Sequence, residues 1–268
     1  MIKMWLIFFL LLTTQHTLAS ETLFIGVQDY NNDPIEVSQL SQGLTQYLSR
    51  ALARPVKIET TRSHEKFLAM ARNKQFAFLY APASMIMEAH KLAGYEPIVK
   101  ISGRISASFV TPTNSGIAFP EDMQGKRIGF TDKNAMITKL ALVKLKELHI
   151  NPATYFQKII YCGDVDGIAS AFKFNQIDIG VVNTSASTLL QEKGIDTNLI
   201  LQSISVPHLS FAARPDLPAN IKQLMAQALI SANKDKQAQT FLTHFGFSGF
   251  ESASLSDYTE LAKILNIN

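Results

Sequence analysis

Residues 126–149 read KRIGFTDKNAMITKLALVKLKELH, and this stretch joins a strand pattern to a helix pattern. Lys126–Asp132 contains a short apolar run that suits a strand, and in Ile137–His149 apolar residues recur at helical spacing. The same order returns downstream, with a strand at Lys158–Cys162, a helix at Asp164–Asn175 and a strand at Ile177–Val182. Strands that alternate with helices predict an α/β domain whose mostly parallel sheet is covered on both faces.

The alternation extends towards the N terminus and breaks once. Strands are predicted at residues 22–28, 56–60 and 76–81, and helices at 33–51, 64–73 and 82–93. Two strand patterns then follow each other within residues 97–112, two more occur at 199–213, and the remaining C-terminal part is predicted to be helical.

The break predicts two α/β lobes, with the second lobe inserted into the first. Residues 21–110 and 209–268 would form the first lobe and residues 111–208 the second. The chain would cross near Val110–Thr113 and return near Val206–Ser210, because both stretches are extended and contain a proline. A cleft between two lobes is a common place for a small ligand.

Composition excludes several classes of protein. The chain has 268 residues, of which 47% are hydrophobic and 18% charged, so it can form a core without a disulfide or metal. The single cysteine, Cys162, excludes an intramolecular disulfide and a cysteine-based zinc site. A formal net charge of +3 is too balanced to indicate nucleic-acid binding.

Residues 1–20, MIKMWLIFFLLLTTQHTLAS, have the pattern of a removable secretory signal. Lys3 gives a positive start, Met4–Leu12 form an apolar stretch, and the segment ends in small residues. The apolar stretch is much shorter than the roughly 20 residues that span a bilayer, which argues against a permanent anchor. We expect cleavage near Ala19 or Ser20 and a periplasmic mature protein.

The motifs of common enzyme classes are absent from the sequence. There is no GxGxxG, GxxxxGK[ST], GxSxG or HExxH motif. No two histidines after the signal have metal-ligand spacing on one element, so neither a metal nor a cofactor is predicted. Cys162 ends an apolar strand and is expected to be an inert thiol rather than a nucleophile. These observations predict a protein that is not an enzyme.

Four strand-to-helix junctions remain as candidate binding elements. They are residues 80–84 (YAPAS), 131–134 (TDKN), 162–164 (CGD) and 183–185 (NTS). Each presents free backbone N–H groups at a helix N terminus, and such termini attract anions. The alternative is ordinary capping, which is the more frequent role of acids such as Asp164 and Asp166 at a helix start.

Six short motifs occur in a characteristic order over roughly residues 23–245. They are Gly26-Val27, Arg54-Pro55-Val56, residues 80–84, 122–128 (DMQGKRI), 176–180 (QIDIG) and 213–218 (ARPDLP). With these motifs the chain resembles the periplasmic solute-binding subunit of phosphate, phosphite and phosphonate ABC transporters. The resemblance implies a type II, periplasmic-binding-protein-like fold with two hinge crossings, which closes on a small ligand.

Several positions differ from what the resemblance implies for phosphonate binding. The loop after Phe130, which in phosphonate binders is rich in Ser and Thr, reads DKNAMIT over residues 132–138. Val165 stands in place of a histidine, Asn183 in place of an acidic residue and Ser63 in place of an aromatic one. Each lost hydrogen-bond partner of a desolvated phosphonate costs on the order of 1–3 kcal/mol. A less charged or more apolar ligand therefore fits Met136 and Val165 better.

Residues at the ends of the strands are the predicted ligand contacts. Lys133, and Arg62 together with His64, could supply donors that replace the missing ones. The full set of predicted ligand-binding residues is Tyr80, Ser84, Ser63, His64, Thr131, Asn134, Asp164 and Asn183.

The leading hypothesis is an exported, monomeric binding protein that delivers a small ligand to an ABC permease. The alternative is a sensory or adaptor protein of the same fold, which reports ligand occupancy to a membrane sensor kinase or cyclase. A third hypothesis, an enzyme on this scaffold, rests only on the fact that a fold does not fix a function.

Overall fold

The computed structural model describes residues 21–28, 41–61, 63–184 and 186–267. The predicted signal segment, the predicted helix start at Asp33, Arg62 and Ser185 lie outside these described residues.

A six-stranded sheet in the order β13-β4-β12-β3-β1-β2 forms the first of two lobes. Strands β1, β2 and β3 are parallel, and β12 runs antiparallel to both of its neighbours. The strands are β1 (Leu23–Gln28), β2 (Val56–Thr61), β3 (Phe78–Ala81), β4 (Glu96–Ile101), β12 (Ser210–Ala213) and β13 (Phe250–Ser252).

Helices cover both faces of this sheet. Residues of α1 (Gln42–Leu52), α8 (Ala219–Ser231) and α9 (Lys236–His244) form a buried cluster with one face. Residues of α2 (His64–Arg72) and α3 (Ala83–Ala93) form a second cluster with the other. Helix α3 ends at Gly94, whose φ of 73° is the left-handed conformation that suits glycine. We call this sheet with these five helices the first lobe.

The second lobe is built on a five-stranded sheet in the order β10-β6-β9-β7-β8. Its strands are β6 (Ala107–Pro112), β7 (Arg127–Phe130), β8 (Lys158–Tyr161), β9 (Ile179–Asn183) and β10 (Thr197–Gln202). Its helices are α4 (Met136–Glu147), α5 (Pro152–Tyr155), α6 (Val165–Lys173) and α7 (Ala186–Glu192). Helix α4 packs on one face of the sheet, and α6 and α7 pack on the other.

Strands β5 (Arg104–Ile105) and β11 (Val206–Pro207) pair as a short antiparallel ribbon. Along the chain, each of them lies between a strand of one sheet and a strand of the other. The predicted return near Val206–Ser210 coincides with β11. The predicted first crossing at Val110–Thr113 is wrong, because β6 already pairs with β9 from Ala107 onwards. Pro112 ends a strand of the second sheet and does not mark a hinge. The exact lobe boundaries stay a prediction.

The C-terminal part differs from its predicted helical structure within the first lobe. Strand β13 adds an edge to the first sheet beside β4, and three residues are too few to show a strand pattern. Helix α10 (Thr259–Ile264) follows, and Tyr258 and Leu261 are buried in the cluster that holds Phe109 and Phe130 of the second lobe. The end of the chain therefore packs against the second lobe.

Candidate ligand-binding cleft

The register of the parallel strands brings the predicted site residues to one edge of each sheet. In the first lobe Gln28 pairs with Thr61 and Val27 with Tyr80, so β1, β2 and β3 end together. In the second lobe Phe130 pairs with Tyr161 and Gly129 with Gly180, so Thr131, Asp164 and Asn183 follow a common edge. Ligands of α/β proteins commonly bind at such carboxyl edges.

A pocket of about 350 Å³ lies where the two edges meet beside the ribbon. The first lobe supplies residues from the end of β4, His208 and the stretch after α9, and the second lobe supplies Thr184. The lining residues are Ile101, Ser102, Arg104, Ile105, Thr184, His208, Phe245, Gly246, Phe247 and Ser248. We call this pocket the cleft pocket. Its volume and its position between two lobes suit a small-molecule site.

A larger depression of about 630 Å³ lies at the opposite edge of the second sheet, near Pro112, Lys126 and Asp178. It is formed by loops of one lobe alone, so closure of the lobes would not enclose a ligand there. The cleft pocket is therefore the better candidate for the ligand site, because it lies between the lobes and is lined by residues of both.

His208 is a neutral hydrogen-bonding group in the cleft pocket. Burial lowers its pKa to about 4. Its Nδ1 accepts the N–H of Leu209 at 2.7 Å, which leaves the proton of the neutral ring on Nε2. The ring packs edge-on against Phe247, with centroids 5.3 Å apart. His208 can therefore donate one uncharged hydrogen bond to a ligand.

Arg104 supplies the positive charge of the cleft pocket. It is exposed, and its Nη2 donates to the carbonyl oxygen of Ser205 across the ribbon. No other ionised side chain is found among the lining residues that the structure describes. The cleft pocket thus has a net charge of about +1 at neutral pH.

Thr184 is held in place by a polar cluster at the start of β6. The hydroxyl oxygens of Thr184 and Ser106 lie 2.7 Å apart. The amide of Gln202 donates to Ser106 at 2.8 Å and to Thr184 at 3.3 Å. Because three strands fix this cluster, the Thr184 side chain is a preorganised contact of the second lobe.

The predicted contacts Thr131, Asn134 and Asp164 belong to loops whose donors bond within the loops. The Asp132 carboxylate accepts the N–H of Asn134 at 2.7 Å, and its carbonyl accepts the Thr138 hydroxyl at 2.8 Å. Asp164 caps α6 by accepting the N–H of Gly167 at 2.7 Å. Asp164 therefore has the capping role that was the alternative. Asp132 and Asp164 already accept backbone N–H groups in these two loops, and their negative charges oppose the binding of an anion there.

The predicted first-lobe contacts point in several directions. Ser63 caps α2 by accepting the N–H of Lys66 at 3.2 Å, and Ser84 is buried in the first turn of α3. His64 Nε2 lies 2.8 Å from Glu88 Oε2. Tyr80 is turned inward and stacks on Phe211 at 4.5 Å. None of the eight predicted residues is among the described residues that line the cleft pocket, so their contact with ligand stays a prediction.

Glu88 of α3 also joins the two lobes. Its Oε1 lies 3.3 Å from Lys139 Nζ of α4, while Oε2 meets His64. Burial alone raises the pKa of Glu88, but the hydrogen bond to His64 and the charge of Lys139 outweigh it and hold the pKa below its ordinary value. The carboxylate is therefore ionised at neutral pH, as a bridge between the lobes requires.

Sequence reasoning missed His208, Arg104 and Phe247, which line the cleft pocket. Their place in the sequence could have indicated Arg104 and His208, because both residues lie at the two passages of the chain between the sheets. A pairing of Arg104 with Pro207 could not be read from residues 103 positions apart.

The described residues form neither a membrane-spanning helix nor a metal-binding cluster. No helix there is long and apolar enough to cross a membrane. No group of three or more His, Cys, Asp or Glu side chains there could hold a metal ion. Burial, followed by the charge of Asp164, raises the pKa of the Cys162 thiol, so it is protonated and unreactive at neutral pH.

Two α/β lobes, a connecting ribbon and a cleft at the carboxyl edges define a two-lobed solute-binding protein. The profile of the family described as "ABC transporter, phosphonate, periplasmic substrate-binding protein" matches residues 30–258. The chain belongs to this family, whose members are periplasmic, bind small molecules and serve ABC permeases. It is accordingly a substrate-binding protein by family rather than an enzyme.

Solved structures share the fold at low sequence identity. PhnD1 of Prochlorococcus marinus, in complex with methylphosphonate, has a TM-score of 0.77 and 14% identity, covering 92% of this chain and 99% of that one. A binding protein component of an ABC phosphonate transporter from Pseudomonas aeruginosa has a TM-score of 0.73 and 15% identity, covering 91% and 85%. The aliphatic sulphonate binding protein SsuA of Escherichia coli has a TM-score of 0.62 and 12% identity, covering 92% and 86%.

Proposed function

We propose that this protein captures a small polar ligand with at most one negative charge in the cleft pocket and delivers it to an ABC importer. The observation that carries the proposal is the lining of the cleft pocket by both lobes, with Arg104 as the single ionised side chain among its described lining residues. Lobe closure around such a ligand would bring Thr184 of the second lobe to a ligand held by the first.

The charge limit follows from the groups that surround the ligand. A buried charge needs a compensating charge or several hydrogen bonds. One guanidinium compensates one negative charge, and His208 adds a neutral donor. The N terminus of α4, which the resemblance assigns to phosphonate oxygens, lies beside the Asp132 carboxylate. A phosphonate dianion would meet repulsion there.

The remaining properties belong to the same proposal. The protein is exported after cleavage near Ala19 or Ser20, works as a monomer and docks on a permease. The comparisons give no support to the alternative of a sensory or adaptor protein.

The test is thermal unfolding of the mature protein, stripped of bound ligand, against a panel of small solutes. The decisive pair at pH 8 is taurine and 2-aminoethylphosphonate, because the two share a carbon skeleton and an ammonium group, while the sulfonate carries one negative charge and the phosphonate two. Phosphate, phosphite, methylphosphonate and amino acids complete the panel. A ligand at 100 times its Kd adds about 2.7 kcal/mol, which raises the midpoint by roughly 5 °C or more. We expect a rise with a solute whose acidic group carries one negative charge, such as taurine, and none with a solute whose acidic group carries two.

Variants then locate the binding. Thr184→Val should lower the affinity for the ligand roughly tenfold, as expected for the loss of one hydrogen bond in the cleft pocket. Thr154→Val is the matched control, because Thr154 is exposed on α5 and bonds only to Asn151 of its own turn. A largest rise with a phosphonate dianion contradicts the charge limit, and no rise with any solute contradicts the proposal itself.

A further inference from the structure

A second cavity lies inside the first lobe. Its volume is about 90 Å³, which leaves room for several water molecules or one small organic group. It lies between β1, β3 and β12 on one side and helices α1 and α9 on the other. The lining residues are mainly apolar, among them Ile25, Leu44, Ile58, Phe211 and Phe241.

Three buried polar atoms without a hydrogen-bond partner meet in this cavity. They are Nε2 and Oε1 of Gln28 and the hydroxyl oxygen of Tyr80, and within the described part of the chain no other buried side-chain nitrogen or oxygen lacks a partner. Gln28 is 8% exposed and Tyr80 is 9% exposed. Buried polar atoms in native proteins are nearly always paired, and each unpaired one costs on the order of 1–3 kcal/mol. Because all three atoms lie in one cavity, they indicate a bound molecule that forms hydrogen bonds with them.

The chemistry of that molecule follows from the three atoms. The Gln28 amide offers donors and an acceptor, and the Tyr80 hydroxyl offers a donor. Burial raises the pKa of Tyr80, so this hydroxyl stays neutral. None of the residues that line the cavity in the described structure is charged, so a charged occupant would be uncompensated.

The cavity adjoins the cleft pocket without being part of it. Phe245 lines both spaces, and Leu209 of the cavity follows His208 of the cleft pocket. The Phe245 ring packs against Phe241 and Phe247, with centroids 4.9 and 5.7 Å apart. This aromatic group separates the two spaces.

We propose that the cavity is a second binding site, for a small uncharged molecule that carries an amide or hydroxyl group on an apolar body. The amide or hydroxyl group pairs with Gln28 and Tyr80, and the apolar body packs against Leu44, Ile58 and Phe241. The site rests on the interior of the first lobe and does not depend on the ligand proposed for the cleft pocket.

The test uses two probes of the same shape, isobutyramide and isobutyrate, which differ in charge at neutral pH. Binding is followed by NMR of the Leu44 and Ile58 methyl groups, which line the cavity. We expect saturable shifts with isobutyramide and none with isobutyrate. Tyr80→Phe and Gln28→Leu should each weaken isobutyramide roughly tenfold, since each removes a buried hydrogen-bond partner. Tyr80→Phe removes a single atom, so it keeps the test available where Gln28→Leu fails to fold.

The cleft variant Thr184→Val serves as the second arm and should leave isobutyramide binding unchanged. Conversely, Gln28→Leu should leave binding of the cleft ligand unchanged, so the two proposals can fail independently. The absence of saturable shifts, equal binding of isobutyrate, or unchanged affinity in Tyr80→Phe would show that the cavity holds water only. Loss of isobutyramide binding in Thr184→Val would place the probe in the cleft pocket. Each of these outcomes overturns the proposal.

Discussion

Removing the bridge between Glu88 and Lys139 should shift the two lobes away from the arrangement seen in the structure. The 3.3 Å contact joins α3 to α4, and the two side chains are 22% and 28% exposed. Exposed ion pairs contribute about 0.2–1 kcal/mol and hydrogen bonds to charged groups about 1.5–3 kcal/mol. A partly buried pair at this distance therefore stabilises the present arrangement of the lobes by about 1 kcal/mol, or about fivefold in the equilibrium constant.

Small-angle X-ray scattering of the ligand-free protein measures this shift as a changed radius of gyration in Glu88→Gln. Lys139→Met should give the same change, and the double variant should add nothing, because either substitution alone removes the pair. Glu147→Gln is the matched control, since Glu147 pairs with Lys144 within α4 and does not reach the other lobe. Identical scattering of Glu88→Gln and the wild type, or additive single changes, would refute the reasoning.

The same bridge predicts a response to acid. The pKa of Glu88 lies below its ordinary value of 4.5 despite burial, because of the His64 hydrogen bond and the Lys139 charge. The bridged arrangement of the lobes is therefore favoured while Glu88 is ionised, and this contribution is lost as the pH falls below about 4.5 through the lowered pKa. The wild type should leave this arrangement over that range, and Glu88→Gln should show no such step.

Three further predictions concern stability and processing. Gly43→Ala should lower the free energy of unfolding by about 1–3 kcal/mol in urea titrations, because its methyl group would clash with the Gln237 carbonyl oxygen; an unchanged midpoint would contradict this close packing. Tyr258 donates to Ser210 at 2.6 Å, and burial raises its pKa to about 12 from 10.0, so its contribution should persist below pH 10 and disappear as the pH approaches 12; Tyr258→Phe should abolish that part of the pH dependence. Mass spectrometry of the exported protein should give an N terminus at Ser20 or Glu21, and an intact Met1 would contradict cleavage.

The strands and helices could be predicted because their hydrophobic periodicity is local. Of the strands predicted within residues 97–112, one is β6 (Ala107–Pro112), and the helix predicted at 82–93 is α3, which ends at Gly94. Strand β13 could not be predicted, since its three residues belong to the sheet only through pairing with the distant β4. The first crossing was misplaced for the same reason, because strand pairing, and not the presence of proline, decides which sheet holds β6.

The cleft pocket was harder to predict than the fold because its residues come from separate segments. Arg104, Thr184, His208 and Phe247 meet only after both lobes have formed. For Tyr80, in contrast, the sequence contained the needed signal. Side chains alternate along a strand, so Tyr80 shares the face of Phe78 and lies in the same buried cluster. Its inward direction could have been predicted without the structure.

Two independent features of the chain support the proposed limit on the charge of its ligand. At the N terminus of α4, the Asp132 carboxylate accepts a backbone N–H, and a negative charge there offsets the positive end of the helix dipole. In the cleft pocket, burial keeps His208 neutral, so a second positive charge is missing from a site that holds Arg104. Either feature alone would weaken the binding of a dianion, because it removes one stabilising group. Because both act in the same direction on opposite lobes, closure of the lobes would raise the energetic cost of a dianion further and would still allow a neutral or singly charged ligand to be enclosed.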